Sequence, residues 1–215
     1  MKPERPHQPK APKKPRRPVQ PRSIRTREKI LDAALALFCE KGYFKTTTNE
    51  IARRAGVSIG SLYSYFSDKD TLFFEILDGY HQKFANAKNV AQGQPELLKT
   101  DPVGWLRLLI DNLIRVHEES RELNRELTVV AYYNPKVAAR LEENRRRTLE
   151  ATIGYFISYL EGLKTTDPEA AAIVSFDLIS STVDRIVFGG SEIDPERLIG
   201  VTIDMLRAYF FPQAT

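Results

Sequence analysis

Apolar positions in the first half of this chain recur with the spacing of helices, and the polar residues between them supply the caps. Ile30, Ala33, Ala34, Leu37 and Phe38 fall at i, i+3, i+4, i+7 and i+8, so the pattern predicts a first helix from about Arg25 to Lys41 that stops at Gly42. Thr47 to Glu50 reads T-x-x-E, a capping box ahead of a short helix whose apolar face is Ile51, Ala52 and Ala55. Ala55-Gly56-Val57-Ser58 follows: Gly56 can take the left-handed conformation that reverses the chain, and Ser58 can cap a third helix, Ile59 to Phe66. Two short helices joined by a tight glycine turn predict a helix-turn-helix. Ser67, Asp68 and Asp70 then start a longer helix carrying Leu72, Phe73, Ile76, Leu77, Tyr80 and Phe84 toward Gly93.

Five more helical stretches are expected, at about 102–119, 121–133, 135–162, 168–188 and 195–211. Asp101-Pro102, Asn134-Pro135, Asp167-Pro168, Gly189-Gly190 and Asp194-Pro195 punctuate them with caps and breakers. No stretch sustains the period-two alternation of a strand, and no internal repeat is evident, so the expected class is all-α.

Charge changes this picture at one end. Of 32 Lys and Arg and 28 Asp and Glu, residues 1–22 hold eight basic groups and one acid, leaving 24 basic against 27 acidic side chains for the rest. Proline stands at 3, 6, 9, 12, 15, 18 and 21, the three-residue beat of polyproline II, with the basic side chains projecting between. Residues 1–22 therefore read as a disordered Pro-rich basic tail, either a solubilising segment or an arm toward a polyanion. No signal-peptide apolar region follows the early lysines, and no apolar run approaches the ~20 residues of a membrane span. The expected location is the cytoplasm, with no membrane partner. The single cysteine, Cys39, sits among Leu35, Leu37 and Phe38 and reads as a core thiol.

Residues 44–77, "FKTTTNEIARRAGVSIGSLYSYFSDKDTLFFEIL", resemble the N-terminal DNA-binding domain of the TetR family of transcriptional regulators. The features that carry the resemblance are Gly42-Tyr43, Thr46-Thr47, Ile51-Ala52, Ala55 to Ser58, Gly60, Leu62-Tyr63, Tyr65-Phe66, Lys69 and Leu72. It implies a three-helix DNA-binding domain at 23–68 and a helical ligand-binding and dimerisation domain at 69–215. The implied partners are a double-stranded inverted-repeat operator, a second copy of the chain and a small-molecule effector. No cofactor is implied.

Residue chemistry distributes the DNA contacts. Thr47, Ser58, Tyr63, Tyr65 and Lys69 carry hydroxyls or an ammonium suited to gripping phosphates without selecting a sequence. Gly60 permits close backbone approach. Ile59 can meet a thymine methyl, and Ser61 and Ser64 can hydrogen-bond base edges. Many family members carry lysine where Ile59 stands, which shifts the expectation here toward methyl recognition. Leu62 and Phe66 read as core, whereas Arg53 and Arg54 serve either a helix C-terminus or phosphate.

In the second domain, Asp177 is the only charged residue from Ala170 to Val183, and the last helix carries Leu198, Ile199, Val201, Ile203, Met205, Leu206, Tyr209 and Phe210. Helices so rich in apolar positions predict a homodimer built through both. Trp105, His117 and Tyr133 combine apolar bulk with a polar handle and are the preferred ligand-binding residues. Leu109, Leu113, Tyr132, Tyr155, Phe156 and Tyr159 are further candidates for a pocket lining. With histidines only at 7, 81 and 117, no CxxC or HExxH and no glycine-rich phosphate loop, no catalytic or metal-binding residues are assigned, and the chain does not read as an enzyme. Two functions compete: a repressor released from its operator by a small apolar or aromatic ligand, and an architectural or nucleoid-associated protein controlled by a protein partner. A ligand-sized cavity in the second domain separates them.

Overall fold

A computed structural model describes residues 21–159, 165–190 and 192–211, with side chains to Tyr155 in the first range. The proline-spaced segment at 1–20, the last residues of the helix expected at 135–162 (160–162) and the side chains of Phe156 and Tyr159 lie outside the described residues. Among the described residues every regular element is a helix. Chain contacts divide them into two units, one running to Glu75 and one starting at Ile76.

The first unit is built on local signals. Helix α1 (Pro21–Lys41) buries Ile30, Ala33, Ala34, Leu37 and Phe38, the stripe expected from their spacing. Its helical residues reach back at least to Pro21, a turn earlier than the apolar pattern indicates. Gly42, at φ 86°, ends it. Helix α2 (Thr48–Ala55) has the full capping box: Thr47 Oγ1 accepts from the Glu50 amide at 3.3 Å, and Glu50 accepts from the Thr47 amide at 2.9 Å. A side-chain bond from Lys41 and those from Thr47 hold the Glu50 carboxyl down at about 2. Gly56, at φ 68°, reverses the chain in the left-handed region. Ser58 Oγ then accepts from the Ser61 amide at 3.1 Å and starts helix α3 (Ile59–Tyr65). Asp68 caps helix α4 (Lys69–Gln92) by accepting from the Thr71 amide at 2.7 Å. Phe38, Tyr43 and Phe73 form an aromatic triangle with centroids 4.9–5.5 Å apart.

Among the described residues the second unit contains the rest of α4 and six further helices: α5 (Pro95–Thr100), α6 (Pro102–Glu119), α7 (Arg121–Tyr133), α8 (Pro135–Tyr159), α9 (Pro168–Val187) and α10 (Pro195–Phe210). Helix α5 was not expected; its six residues are too short to show a period, and its start, Pro95 after Gly93-Gln94, reads as loop. The core gathers Ala91, Leu98, Trp105, Leu106, Leu109, Ile110, Ile179, Val183, Ile203 and Phe210 from α4, α5, α6, α9 and α10. Helix α9 packs against α6, α8 and α10. One face of it, Ala171, Ala172, Ser175, Ile179, Val183 and Val187, is buried within the chain.

Candidate DNA-binding surface and cavity

Helix α3 divides its side chains cleanly. Leu62 is fully buried and Phe66, its C-cap, nearly so, anchoring the helix. Ser58, Ile59, Gly60, Tyr63 and Ser64 are exposed, and no charged residue interrupts the helix. The result is a firmly seated helix presenting a neutral surface of hydroxyls, Gly60 and Ile59, suited to entering a groove.

Several hydroxyls expected at DNA also have structural partners. Tyr63 and Thr48 share a hydrogen bond of 3.0 Å, as do Tyr65 and Ser23 of α1. Ser64 Oγ donates to the Ser61 carbonyl at 2.6 Å, and Thr47 and Ser58 cap α2 and α3. Ser61 contributes its amide to the Ser58 cap. Arg54 is held by Glu40 in a two-pronged ion pair of 2.5 and 2.6 Å, whereas exposed Arg53 has no ion-pair or hydrogen-bond partner among the described residues. Thr48 escaped the sequence reading; its place one residue after the N-cap gave no sign that it would meet Tyr63.

Lys69 occupies an inward position. Its ammonium donates to the Tyr43 carbonyl at 2.8 Å and the Thr46 carbonyl at 3.0 Å, and lies 4.1 Å from the centroid of the Tyr43 ring. Burial lowers its pKa. This cation ties the α1–α2 turn to the start of α4. Lys69→Met is expected to destabilise the first unit by about 1.5–3 kcal/mol, the range for hydrogen bonds to a charged group, and to weaken binding to all DNA alike. Chemical denaturation read beside DNA affinity checks this: a lowered salt slope with unchanged stability would instead assign Lys69 to phosphate alone.

The second unit contains a cavity of about 840 Å³ among α4, α6, α7, α8 and α9. Tyr80, Phe84, His117 and Phe188 form an aromatic chain along it, with successive ring centroids 4.5–5.6 Å apart. Leu109, Leu113, Phe176, Ile179 and Val183 add apolar wall. Polar atoms are set into this lining: His81 Nε2, His117 Nδ1 and Asn144 Nδ2 are buried without hydrogen-bond partners among the described residues. Burial lowers the pKa of both histidines and raises that of Tyr80 to about 12, favouring their neutral forms.

Of the preferred ligand residues, His117 lines this cavity. Trp105 is buried in the core, where its indole N–H donates to the Ala91 carbonyl at 2.7 Å, and it borders a separate void of about 20 Å³ with Tyr155. Tyr133 is 68% exposed at the end of α7, beside the still more exposed Tyr132, and neither lines the cavity. His81, Lys88, Asn144 and Ser180 line it without having been anticipated; each looks like ordinary helix-surface chemistry until the neighbouring helices are placed.

Comparison with known proteins agrees with the architecture. Residues 30–76 match the family model described as bacterial regulatory proteins, tetR family. The chain is 24% identical over 195 residues to the transcriptional regulator TtgR of Pseudomonas putida, covering 85% of this chain and 91% of that protein. It is 48% identical over 61 residues to the regulator HbdR of Aromatoleum sp., covering 26% of this chain and 27% of that one. A solved structure of a TetR-family regulator from Mesorhizobium loti superposes with a TM-score of 0.67 at 29% identity, covering 88% of this chain and 98% of that one.

Proposed function

Because the chain belongs to the TetR family of bacterial transcriptional regulators, we propose that it is a ligand-released repressor: a homodimer that binds an inverted-repeat operator and leaves it when a small apolar or aromatic molecule enters the second unit. The observation that carries this reading is the cavity of about 840 Å³, within the range of small-molecule sites. A filled core would have favoured the architectural alternative. Its relatives are named as transcriptional regulators and not as enzymes.

Helix α4 gives a route for coupling. It starts in the DNA-binding unit at Lys69 and, further along, lines the cavity with Tyr80, His81, Phe84 and Lys88. A ligand releases DNA only if it binds the non-binding conformation more tightly, so the cavity must differ between the two states. Dimerisation is supported by an uncovered stripe on α10, where Val201, Met205 and Tyr209 recur at i, i+4 and i+8 and are all more than half exposed. Val174 on α9 is exposed to a similar degree. Pairing these helices across a two-fold axis buries them and sets two α3 helices on two half-sites.

Selection from random DNA, followed by footprinting, tests the DNA half of this reading. The expected product is a small set of palindromes protected over two half-sites; dispersed sites without two-fold symmetry would reject it. Repeating the experiment on a chain lacking residues 1–20 tests the basic arm. Loss of the arm is expected to leave the recovered sequence unchanged, lower affinity and flatten its salt dependence, because phosphate contacts release counterions. An unchanged salt slope would leave the tail a solubilising role.

A further inference from the structure

The cavity's charges are unevenly matched. Lys88 is half-buried on α4, seven residues and hence about 10 Å along the helix from His81. It has no hydrogen-bond or ion-pair partner among the described residues. Burial lowers its pKa. Arg145, also on the lining, is partnered by Asp177 at 3.1 Å, and Arg125 is exposed. Among the described residues the only acid on the lining is Asp184, itself exposed. A cationic ligand would meet that one acid and three basic side chains, and a neutral one would leave Lys88 unpaired in a site that has just lost its water. Both outcomes are unfavourable.

An anion reverses the balance, and the unpartnered Asn144 amide nitrogen and imidazole nitrogens of His81 and His117 add donor capacity to the same lining. Most of the remaining wall, including Phe84, Leu113, Phe176 and Val183, is apolar, so the rest of the ligand must be apolar too. The geometry points to an amphipathic carboxylate, an aliphatic chain or aromatic ring bearing one carboxyl group, as the occupant of this cavity, with its head group at Lys88. The inference rests on the reading of the cavity as the effector site and adds to it the class of effector.

Two matched pairs test it by titration calorimetry: decanoate against decanamide, and 4-phenylbutyrate against 4-phenylbutyramide. Within at least one pair the acid is expected to bind about tenfold or more tighter, the effect of one charge-assisted contact in a desolvated site. Lys88→Met is expected to bring the acid down to the affinity of the amide while leaving the amide unchanged. Equal binding of acid and amide to the unaltered protein would overturn the carboxylate assignment, a preference for acid that survives Lys88→Met would overturn the head-group site at Lys88, and either would leave the cavity as the effector site. Binding of none of the four compounds would overturn both.

Discussion

Leu62→Ala is expected to remove DNA binding at every site while leaving the second unit folded and able to bind its ligand. Leu62 is fully buried on a helix of only seven residues, and its neighbours on that helix, Ile59, Gly60, Ser61, Tyr63 and Ser64, contribute no buried apolar side chain. Truncation to alanine in such a core costs about 2–5 kcal/mol, a large share of what a small three-helix unit possesses. Two transitions in calorimetry would show the first unit melting early and the second unmoved. The contrast is Ile59→Ala, at an exposed position on the same helix. There stability should hold, and discrimination should fall only at the base pair that the side chain meets, by about 1–3 kcal/mol. Equal loss of stability in both variants would contradict this division of α3 into an anchored and a reading face.

The second large effect is expected at Ser180, a half-buried small residue of α9 on the cavity lining. Ser180→Trp places an indole into existing space instead of packed atoms, so the strain that usually accompanies a larger core side chain is avoided. Ligand affinity should fall on the order of a hundredfold, close to 3 kcal/mol, while operator affinity and thermal stability stay near those of the unaltered chain. Calorimetry with the tightest of the carboxylates and a DNA-binding isotherm measure the two sides. Undiminished ligand binding would place the effector elsewhere.

The DNA-binding unit was legible because its signals are local. Thr47 and Glu50 are three residues apart, Gly56 sits where the turn needs a positive φ, and Ser58 lies immediately before the helix that it caps. Each rests on backbone chemistry within one helical turn. The cavity was not legible, because a void is a property of what five helices fail to fill. Trp105 illustrates the limit: bulk and a polar handle suit a binding site, yet its N–H is satisfied by the Ala91 carbonyl inside the core. Lys88 illustrates the converse, a lysine in a polar helical stretch that gains significance only once it is found half-buried on the cavity lining. Lys69 combines both lessons; its spacing in the motif was evident, but its attachment to the Tyr43 and Thr46 carbonyls depends on how the α1–α2 turn folds back.

Fluorescence anisotropy of the footprinted operator, titrated with whichever of the four compounds binds most tightly, tests ligand-gated DNA release most directly. As the cavity fills, apparent operator affinity should fall by about tenfold or more, within the usual range of coupling between two sites, and Ser180→Trp should abolish the response. Operator affinity that stays constant while calorimetry shows the cavity saturated would contradict the account.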